Sequence, residues 1–121
     1  MKNKILIIDG DLGILDALER VLASEGFVPR CIDRPDFIYE QIDNFTPDLI
    51  IMEIVHASVD GRVLCNEIKA KSGYRKIPII LLTSLTHQEI AKLDCYADAI
   101  LGKPYSLNKL LIVVKCLIKI V

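Results

Sequence analysis

The chain has 121 residues, a length typical of one domain, and a core of this size needs neither a disulfide nor a metal for stability. Apolar residues make up 52% of the chain and charged residues 26%, a balance that excludes intrinsic disorder. Fifteen basic and sixteen acidic side chains give a net charge of −1, so the composition argues against binding to nucleic acid or to an anionic membrane.

The cysteines and the apolar segments indicate where the protein resides. The cysteines are Cys31, Cys65, Cys95 and Cys116. No pair has the spacing of a zinc site, so we expect free thiols in a reducing, cytoplasmic environment. The apolar run Ile5–Ile8 is too short for a signal peptide, and the apolar segment Leu110–Val121 contains two lysines. We therefore expect no membrane-spanning segment.

Short apolar runs alternate with amphipathic segments, which predicts alternating strands and helices. Ile5–Ile8 predicts a buried first strand, followed by a turn at Asp9-Gly10-Asp11. The apolar residues from Ile14 to Leu22 then fall on one face of a helix. Asp11 is placed to cap the start of this helix, and Gly26 is placed to end it in the left-handed conformation.

The second strand is predicted over Phe27–Ile32 and contains Pro29. Because proline has no amide hydrogen for a strand ladder, we expect this strand at an edge of the sheet. Asp33 and Pro35 predict the start of a second helix, whose apolar positions extend to Phe45.

The rest of the chain continues the same alternation, in one domain over residues 1–121. The predicted elements are a strand Leu49–Met52, a loop through Ser58, Asp60 and Gly61, a helix near Arg62–Lys71, a strand Ile77–Leu82, a short helix around Gln88–Tyr96, a strand Ala99–Leu101, and a last helix that Ser106 caps. Because the strands are apolar throughout, we expect a parallel sheet with helices on both faces.

Polar side chains follow four of the five predicted strands. They are Asp9, Glu53, Thr83 and Lys103. The carboxyl ends of parallel strands meet at the ligand-binding edge of an open α/β sheet, so we expect these side chains to lie close together. Such a cluster suits a cation held by carboxylates, a phosphoryl group held by lysine and threonine, or a structural salt bridge. Periodicity leaves these three alternatives open.

Four fragments resemble the receiver domain of bacterial two-component response regulators, such as the chemotaxis regulators. They are Lys4-Ile-Leu-Ile-Ile-Asp9, Pro47-Asp-Leu-Ile-Ile-Met-Glu53 with Asp60-Gly61 after it, Ile79-Ile-Leu-Leu-Thr83-Ser84, and Lys103-Pro104. The fragments occur in order over essentially the whole chain. The resemblance implies a flavodoxin-like, doubly wound α/β fold with five parallel strands in the order 2-1-3-4-5. That order also puts the strand with Pro29 at an edge.

In this family a histidine kinase phosphorylates an aspartate at the end of the third strand. The resemblance implies that Mg²⁺ is held by acids after the first strand, by the acceptor and by a backbone carbonyl. These positions correspond here to Asp9, Glu53 and the carbonyl of Val55. Thr83 and Lys103 would then contact the phosphoryl oxygens, and Thr83 would act with an aromatic residue as the switch.

The sequence departs from this pattern at three positions. The acceptor position is Glu53, whose carboxylate is displaced by roughly 1.5 Å relative to that of an aspartate. An offset of about 1 Å can slow a positioned reaction around a hundredfold. Gly10 replaces the second acid, so Mg²⁺ loses a ligand that its octahedral geometry requires. Ile100 occupies the aromatic switch position and has no hydroxyl to turn toward Thr83.

These departures predict a pseudo-receiver that acts by protein–protein interaction with a histidine kinase or an output domain. We expect no enzymatic activity, no required cofactor, and at most weak Mg²⁺ binding. An ion pair between Glu53 and Lys103 either holds a fixed signalling state or is a plain salt bridge. The alternatives are a working Mg²⁺-dependent phospho-acceptor, or a flavodoxin-like binder of a phosphate or nucleotide over Gly10 and Gly13.

The last helix has more apolar residues than one face of a sheet can cover. We therefore predict an interaction face on this helix, used by a homodimer or by another signalling protein. The residues assigned to that face are Leu110, Val114, Leu117 and Val121.

Overall fold

The structure is a computed structural model that describes residues 3–53, 55–56, 59–83, 95–103 and 106–118. The elements in chain order are β1 (Lys4–Ile8), α1 (Leu12–Ser24), β2 (Val28–Ile32), α2 (Ile38–Phe45), β3 (Leu49–Glu53), β4 (Val55–His56), β5 (Val59–Asp60), α3 (Gly61–Ala70), β6 (Ile79–Thr83), β7 (Ala99–Gly102) and α4 (Leu107–Ile118).

The central sheet has five parallel strands in the order β2-β1-β3-β6-β7. This is the flavodoxin-like order that the resemblance implies, so the predicted fold class is confirmed. The predicted edge position of the proline-containing strand is confirmed too, because β2 pairs on one side with β1 and places Pro29 opposite Ile5.

The strands are apolar throughout because both faces of the sheet are covered. One core cluster combines Ile5, Ile7, Leu49, Ile51, Ile80 and Leu82 with buried residues of α1 and α4. The other combines Leu6, Ile8, Ile50, Met52, Ile79 and Leu81 with buried residues of α2 and α3. Successive strand residues point to opposite faces, so each strand contributes to both clusters.

The predicted ends of α1 are confirmed. The side chain of Asp11 accepts hydrogen bonds from the backbone N–H groups of Gly13 at 2.9 Å and Ile14 at 3.2 Å. Gly26 has φ of 93°, a left-handed conformation that favours glycine after a helix. The predicted Ser106 cap is also confirmed, because Lys109 N donates to Ser106 Oγ at 3.2 Å.

Two local predictions differ from the structure, and a third falls mostly on residues that the structure does not describe. The helix predicted to open at Asp33 and Pro35 begins only at Ile38, because Ile38 N donates to the Pro35 carbonyl and the chain first makes a tight turn. Part of the predicted loop forms the antiparallel pair β4–β5. Most of the helix predicted around Gln88–Tyr96 lies outside the described residues, and residues 95–96, which are described, are not helical.

The predicted interaction face on the last helix is wrong for Leu110 and Val114. Both are buried in the core cluster beneath α4, so neither can contact another molecule. Leu117 is half-buried against the same cluster, and Val121 lies outside the described residues. The large apolar side chain that α4 exposes most is Ile112, of which 63% is accessible.

None of the helices in the described ranges combines the length and the apolarity needed to cross a bilayer.

Candidate functional site

Four polar residues meet at the carboxyl ends of the central strands, as predicted. Asp9 follows β1, Glu53 ends β3 and Thr83 ends β6. Lys103 follows β7, which is hydrogen-bonded to β6, and Lys103 N donates to the Thr83 carbonyl at 2.5 Å. The parallel register therefore brings residues that are up to 94 positions apart in the chain to one edge of the sheet.

Lys103 lies between two carboxylates. Its Nζ is 3.3 Å from Asp9 Oδ2 and 4.0 Å from Glu53 Oε2. Asp9 is fully buried, and its Oδ1 accepts a hydrogen bond of 2.9 Å from the backbone N–H of Asp11. A buried carboxylate requires such partners, because leaving it unpaired away from water is strongly unfavourable. The three side chains form what we call the Asp9–Glu53–Lys103 cluster.

Glu53 reaches back across the sheet toward β1. Its Oε2 accepts a hydrogen bond of 3.3 Å from the backbone N–H of Gly10. Gly10 occupies the position where the family pattern has an acid, and here it supplies a donor instead of a ligand. The sequence contained no sign of this contact, because backbone N–H donors are present at every position except proline.

The two carboxyl groups of the cluster have opposite pKa shifts. Burial, together with the hydrogen bond and the charge of Asp9, raises the pKa of Glu53 to about 7, against the opposing charge of Lys103. Burial also acts to raise the pKa of Asp9, but hydrogen bonds from Glu53 and the Asp11 N–H, with the charge of Lys103, together hold that pKa below its usual range. Below about pH 7 the pair therefore shares one proton, held mainly on Glu53, while Asp9 stays charged beside Lys103.

The residues present do not fit the Mg²⁺ ion that the fold family implies. In the part of the chain that the structure describes, no three His, Cys, Asp or Glu side chains are grouped as a metal site. Both oxygens of Asp9 have hydrogen-bond partners, and Gly10 has no side chain to offer. Val55, predicted to provide a carbonyl ligand, lies in β4 opposite Asp60. Mg²⁺ requires near-octahedral oxygen coordination, which this set does not supply.

Both residues of the predicted switch pair, Thr83 and Ile100, lie in the central sheet, but Ile100 has no group that can form a hydrogen bond. Thr83 is buried at the end of β6. Ile100 lies in β7 opposite Leu81, and its half-buried side chain packs against the core cluster on the α2 and α3 side of the sheet. An aliphatic side chain in that position cannot form a hydrogen bond with Thr83. Pro104, the last residue of the fourth matching fragment, lies outside the described residues.

Asp60 has a structural role that the Asp-Gly turn motif only partly indicated. Its Oδ1 accepts a hydrogen bond of 2.8 Å from Arg62 N, which caps α3, and its Oδ2 pairs with the Arg62 guanidinium at 2.8 Å. That charge and those hydrogen bonds hold the pKa of Asp60 below its usual range. An aspartate followed by glycine at a helix start was the available signal for the cap.

Comparison with known proteins agrees with this geometry. The family model of the response regulator receiver domain matches residues 5–115. A two-component response regulator from Clostridium difficile is similar at 30% identity, over 98% of this chain and 97% of that chain, with a TM-score of 0.86. The signal receiver domain of a signal transduction histidine kinase from Syntrophus aciditrophicus is similar at 28% identity, over 97% of this chain and 90% of that chain, with a TM-score of 0.89.

A CheY-like response regulator receiver domain protein from Methanospirillum hungatei shares the fold, with a TM-score of 0.87 at 24% identity over 98% of this chain and 95% of that chain. Taken with the parallel sheet and the polar groups at its carboxyl edge, the family match gives a direct conclusion: this chain belongs to the response regulator receiver domain family of two-component systems.

Proposed function

We propose that this receiver domain is a pseudo-receiver, which acts by binding partner proteins and does not accept a phosphoryl group. The observation that carries the proposal is the position of the Glu53 carboxylate. Glu53 stands at the acceptor position, yet its Oε2 accepts a hydrogen bond from Gly10 N and lies 4.0 Å from Lys103 Nζ. The group that would attack phosphorus is thus engaged inside the protein.

Phosphoryl transfer to a carboxylate requires an oxygen in line with the leaving group and cations that neutralise the charge on the phosphoryl oxygens. The longer side chain of Glu53 places its oxygens away from the position that an aspartate would give them. Gly10 removes an acid from the same site, and the remaining residues do not fit Mg²⁺. Both the in-line position of the attacking oxygen and the neutralisation of the charge on the phosphoryl oxygens are therefore impaired.

The cluster supports a fixed conformation in place of a switch. Lys103 links the segment after β7 to β1 and β3, since it lies between Asp9 and Glu53. Ile100 has no hydroxyl to respond to a change at Thr83. Receiver domains interact with histidine kinases and output domains, and we propose that this chain does so in one constant state. The absence of enzymatic activity and the cytoplasmic location predicted from the sequence remain parts of the proposal.

The first experiment is incubation of the chain with acetyl phosphate and Mg²⁺, followed by intact-mass measurement. We expect no mass increase. The matched control carries Glu53→Asp and Gly10→Asp, which restore both acids of the family pattern. Positive φ values in the described residues belong to Gly26 and Thr46, so the backbone at position 10 does not require glycine. The control should gain one phosphoryl group, and the same gain in the original chain would disprove the proposal.

The second candidate is a working acceptor, and the placement of Asp9, Thr83 and Lys103 at one edge of the sheet favours it. Beryllofluoride with Mg²⁺ separates the two candidates, because it mimics a phosphoryl group only when bound to an acceptor carboxylate with its metal. Chemical-shift changes around Thr83 and Lys103 in the original chain would support a working acceptor. We expect such changes only in the control with both acids restored.

For the partner surface, the outer face of α4 replaces the face predicted from the sequence. Ile112 is largely exposed there, opposite the buried Leu110 and Val114. We propose that a second copy of the chain covers Ile112 in a twofold contact of the kind typical of homodimers.

A further inference from the structure

Two cysteines lie together on the α2 and α3 side of the sheet, away from the Asp9–Glu53–Lys103 cluster. Cys65 is in α3, fully buried within the core cluster of that side. Cys95 precedes β7, and its half-buried side chain packs against the same cluster. Burial raises the pKa of the Cys65 thiol and the neighbouring Cys95 thiol raises it too, so the two side chains lie beside each other in this cluster. Sequence patterns do not indicate this contact, because the two cysteines are far apart in the chain.

The backbone around the two thiols is held in place by further hydrogen bonds. Tyr96 N donates a hydrogen bond to the side-chain oxygen of Asn66 at 2.9 Å. This bond therefore joins the residue after Cys95 to the residue after Cys65. Ala97 N donates to Cys95 Sγ at 3.4 Å, which orients the sulfur. A disulfide forms without strain only where the backbone already holds two sulfurs near each other.

The other two cysteines have different surroundings. Cys31 donates its thiol hydrogen to the Leu15 carbonyl at 3.7 Å, on the opposite face of the sheet. Cys116 is exposed on α4. These two residues therefore lie away from the Cys65 and Cys95 thiols.

We propose that Cys65 and Cys95 are a redox modification site, which closes to an intramolecular disulfide on reaction with a low-molecular-weight disulfide such as oxidised glutathione. The site is separate from the candidate phosphate pocket and does not depend on the proposed pseudo-receiver function. The domain would then respond to oxidation of these two thiols.

The reaction proceeds by two thiol–disulfide exchanges. The Cys95 thiolate attacks one sulfur of the reagent, the reagent's S–S bond breaks, and one reduced thiol leaves with the proton released by Cys95. The Cys65 thiolate then attacks the Cys95 sulfur, forming the internal S–S bond and expelling the second reduced thiol, which takes the proton of Cys65. The protein loses two hydrogens and two electrons, and the reagent gains them.

The order of these steps follows from exposure. Cys95 is half-buried and so has a surface for the reagent to reach, whereas Cys65 is fully buried. Burial also raises the pKa of the Cys65 thiol to about 12, so Cys65 stays protonated until an activated sulfur lies beside it. Cys95 is therefore the attacking thiol and Cys65 the resolving thiol.

The test uses the full chain with Cys31→Ser and Cys116→Ser, so that only the proposed pair can react. After treatment with oxidised glutathione, the remaining thiols are alkylated in denaturant and the intact mass is measured. We expect the loss of two hydrogens and no alkylation, both reversed by dithiothreitol. The oxidised form should melt higher by on the order of 10 °C, because the bridge restricts the unfolded chain.

Adding either Cys95→Ser or Cys65→Ser to this variant separates the attacking thiol from the resolving thiol. With Cys95→Ser the protein should not react, and with Cys65→Ser it should stop with one glutathione on Cys95. If Cys65→Ser fails to fold, peptide mapping of the unsubstituted chain must still find the Cys65–Cys95 link. A stable glutathione adduct on Cys95 with Cys65 still alkylated would overturn the proposal. So would a bridge that lowers the melting temperature.

Discussion

A lysine pairs with a carboxylate at each end of the central sheet, and the two pairs are built differently. At the amino end of β6, Lys69 Nζ lies 2.8 Å from Asp98 Oδ2 and donates to the Ile77 carbonyl at 2.6 Å. Asp98 Oδ2 also accepts a hydrogen bond of 2.8 Å from Ile79 N. Here one carboxylate meets one lysine, and backbone groups complete the contacts.

The carboxyl end has two carboxyl groups, Asp9 and Glu53, for one lysine. Burial and the neighbouring Asp9 raise the pKa of Glu53 to about 7, so this second carboxyl keeps its proton below that pH while Asp9 balances the charge of Lys103. The candidate site therefore differs from the structural ion pair at the amino end in its ratio of carboxyl groups to lysines.

The largest expected effect is at the amino end. Asp98→Ala leaves Lys69 Nζ and Ile79 N without their shared acceptor, and we expect a loss of about 2.5 kcal/mol in the free energy of unfolding, a value reduced because the Asp98 side chain is partly exposed. Urea denaturation measures it. Asp16→Ala is the control, because Asp16 forms an exposed pair with Arg20 and should change stability by at most about 0.5 kcal/mol. Equal losses in the two variants would mean that the amino-end pair is not a structural clamp.

The second prediction concerns pH and the carboxyl end. Because the pKa of Glu53 is raised from 4.5 to about 7, its stabilising contribution is fully present below pH 4.5 and is lost as pH rises through 7. Stability should thus fall by roughly 2 kcal/mol across this window, a value reduced for partial exposure. The pKa of Asp9 is lowered, so its contribution is present above 3.8 and is lost as pH falls through its folded value.

Glu53→Gln tests the assignment of that pH dependence. Glutamine resembles protonated glutamate and can still donate a hydrogen bond to Asp9. The free energy of unfolding of the variant should therefore stay constant between pH 4.5 and 7. Above pH 7 the variant should be more stable than the original chain. The measurement is the urea midpoint across this range in a buffer with chelator. A slope that survives in the variant would assign the titration to another group.

A smaller effect is expected at the turn that follows β1. Asp11→Ala removes the acceptor for the backbone N–H groups of Gly13 and Ile14, and should lower the free energy of unfolding by about 1 kcal/mol. Thermal melting measures this change. Asp11→Asn should retain most of the stability, since asparagine also caps helices. If the asparagine variant loses as much as the alanine variant, the side-chain cap is not what stabilises α1.

The smallest change in stability is expected far from both ends of the sheet. Ile112→Lys alters an exposed residue and should change the free energy of unfolding by at most about 0.5 kcal/mol, while abolishing a homodimer that uses α4. Light scattering measures the oligomeric state. Val114→Ala on the same helix is the contrast, because it removes buried methyl groups and should destabilise the monomer. A dimer that survives Ile112→Lys would exclude this surface.

The sequence sufficed for the fold because its strands are buried on both faces and Pro29 marks an edge. The sequence also sufficed to predict that four polar residues lie at one edge of the sheet, since the carboxyl ends of strands meet in a parallel sheet. These residues are Asp9, Glu53, Thr83 and Lys103. The sequence did not indicate that Gly10 N would hold Glu53, because that contact depends on a side-chain conformation. Periodicity alone also misplaced Leu110 and Val114, since a helix that is apolar on several sides does not show which side faces the sheet.

The outer strands of the sheet show how the domain avoids aggregation. Open edges of a sheet invite added strands from other molecules, and natural proteins block them with proline, charge or shortness. On one edge, β2 contains Pro29 and the neighbouring Arg30, and on the other edge β7 spans only Ala99–Gly102. A Pro29→Val variant would restore the missing amide hydrogen and should make concentrated solutions of this domain more prone to fibril formation.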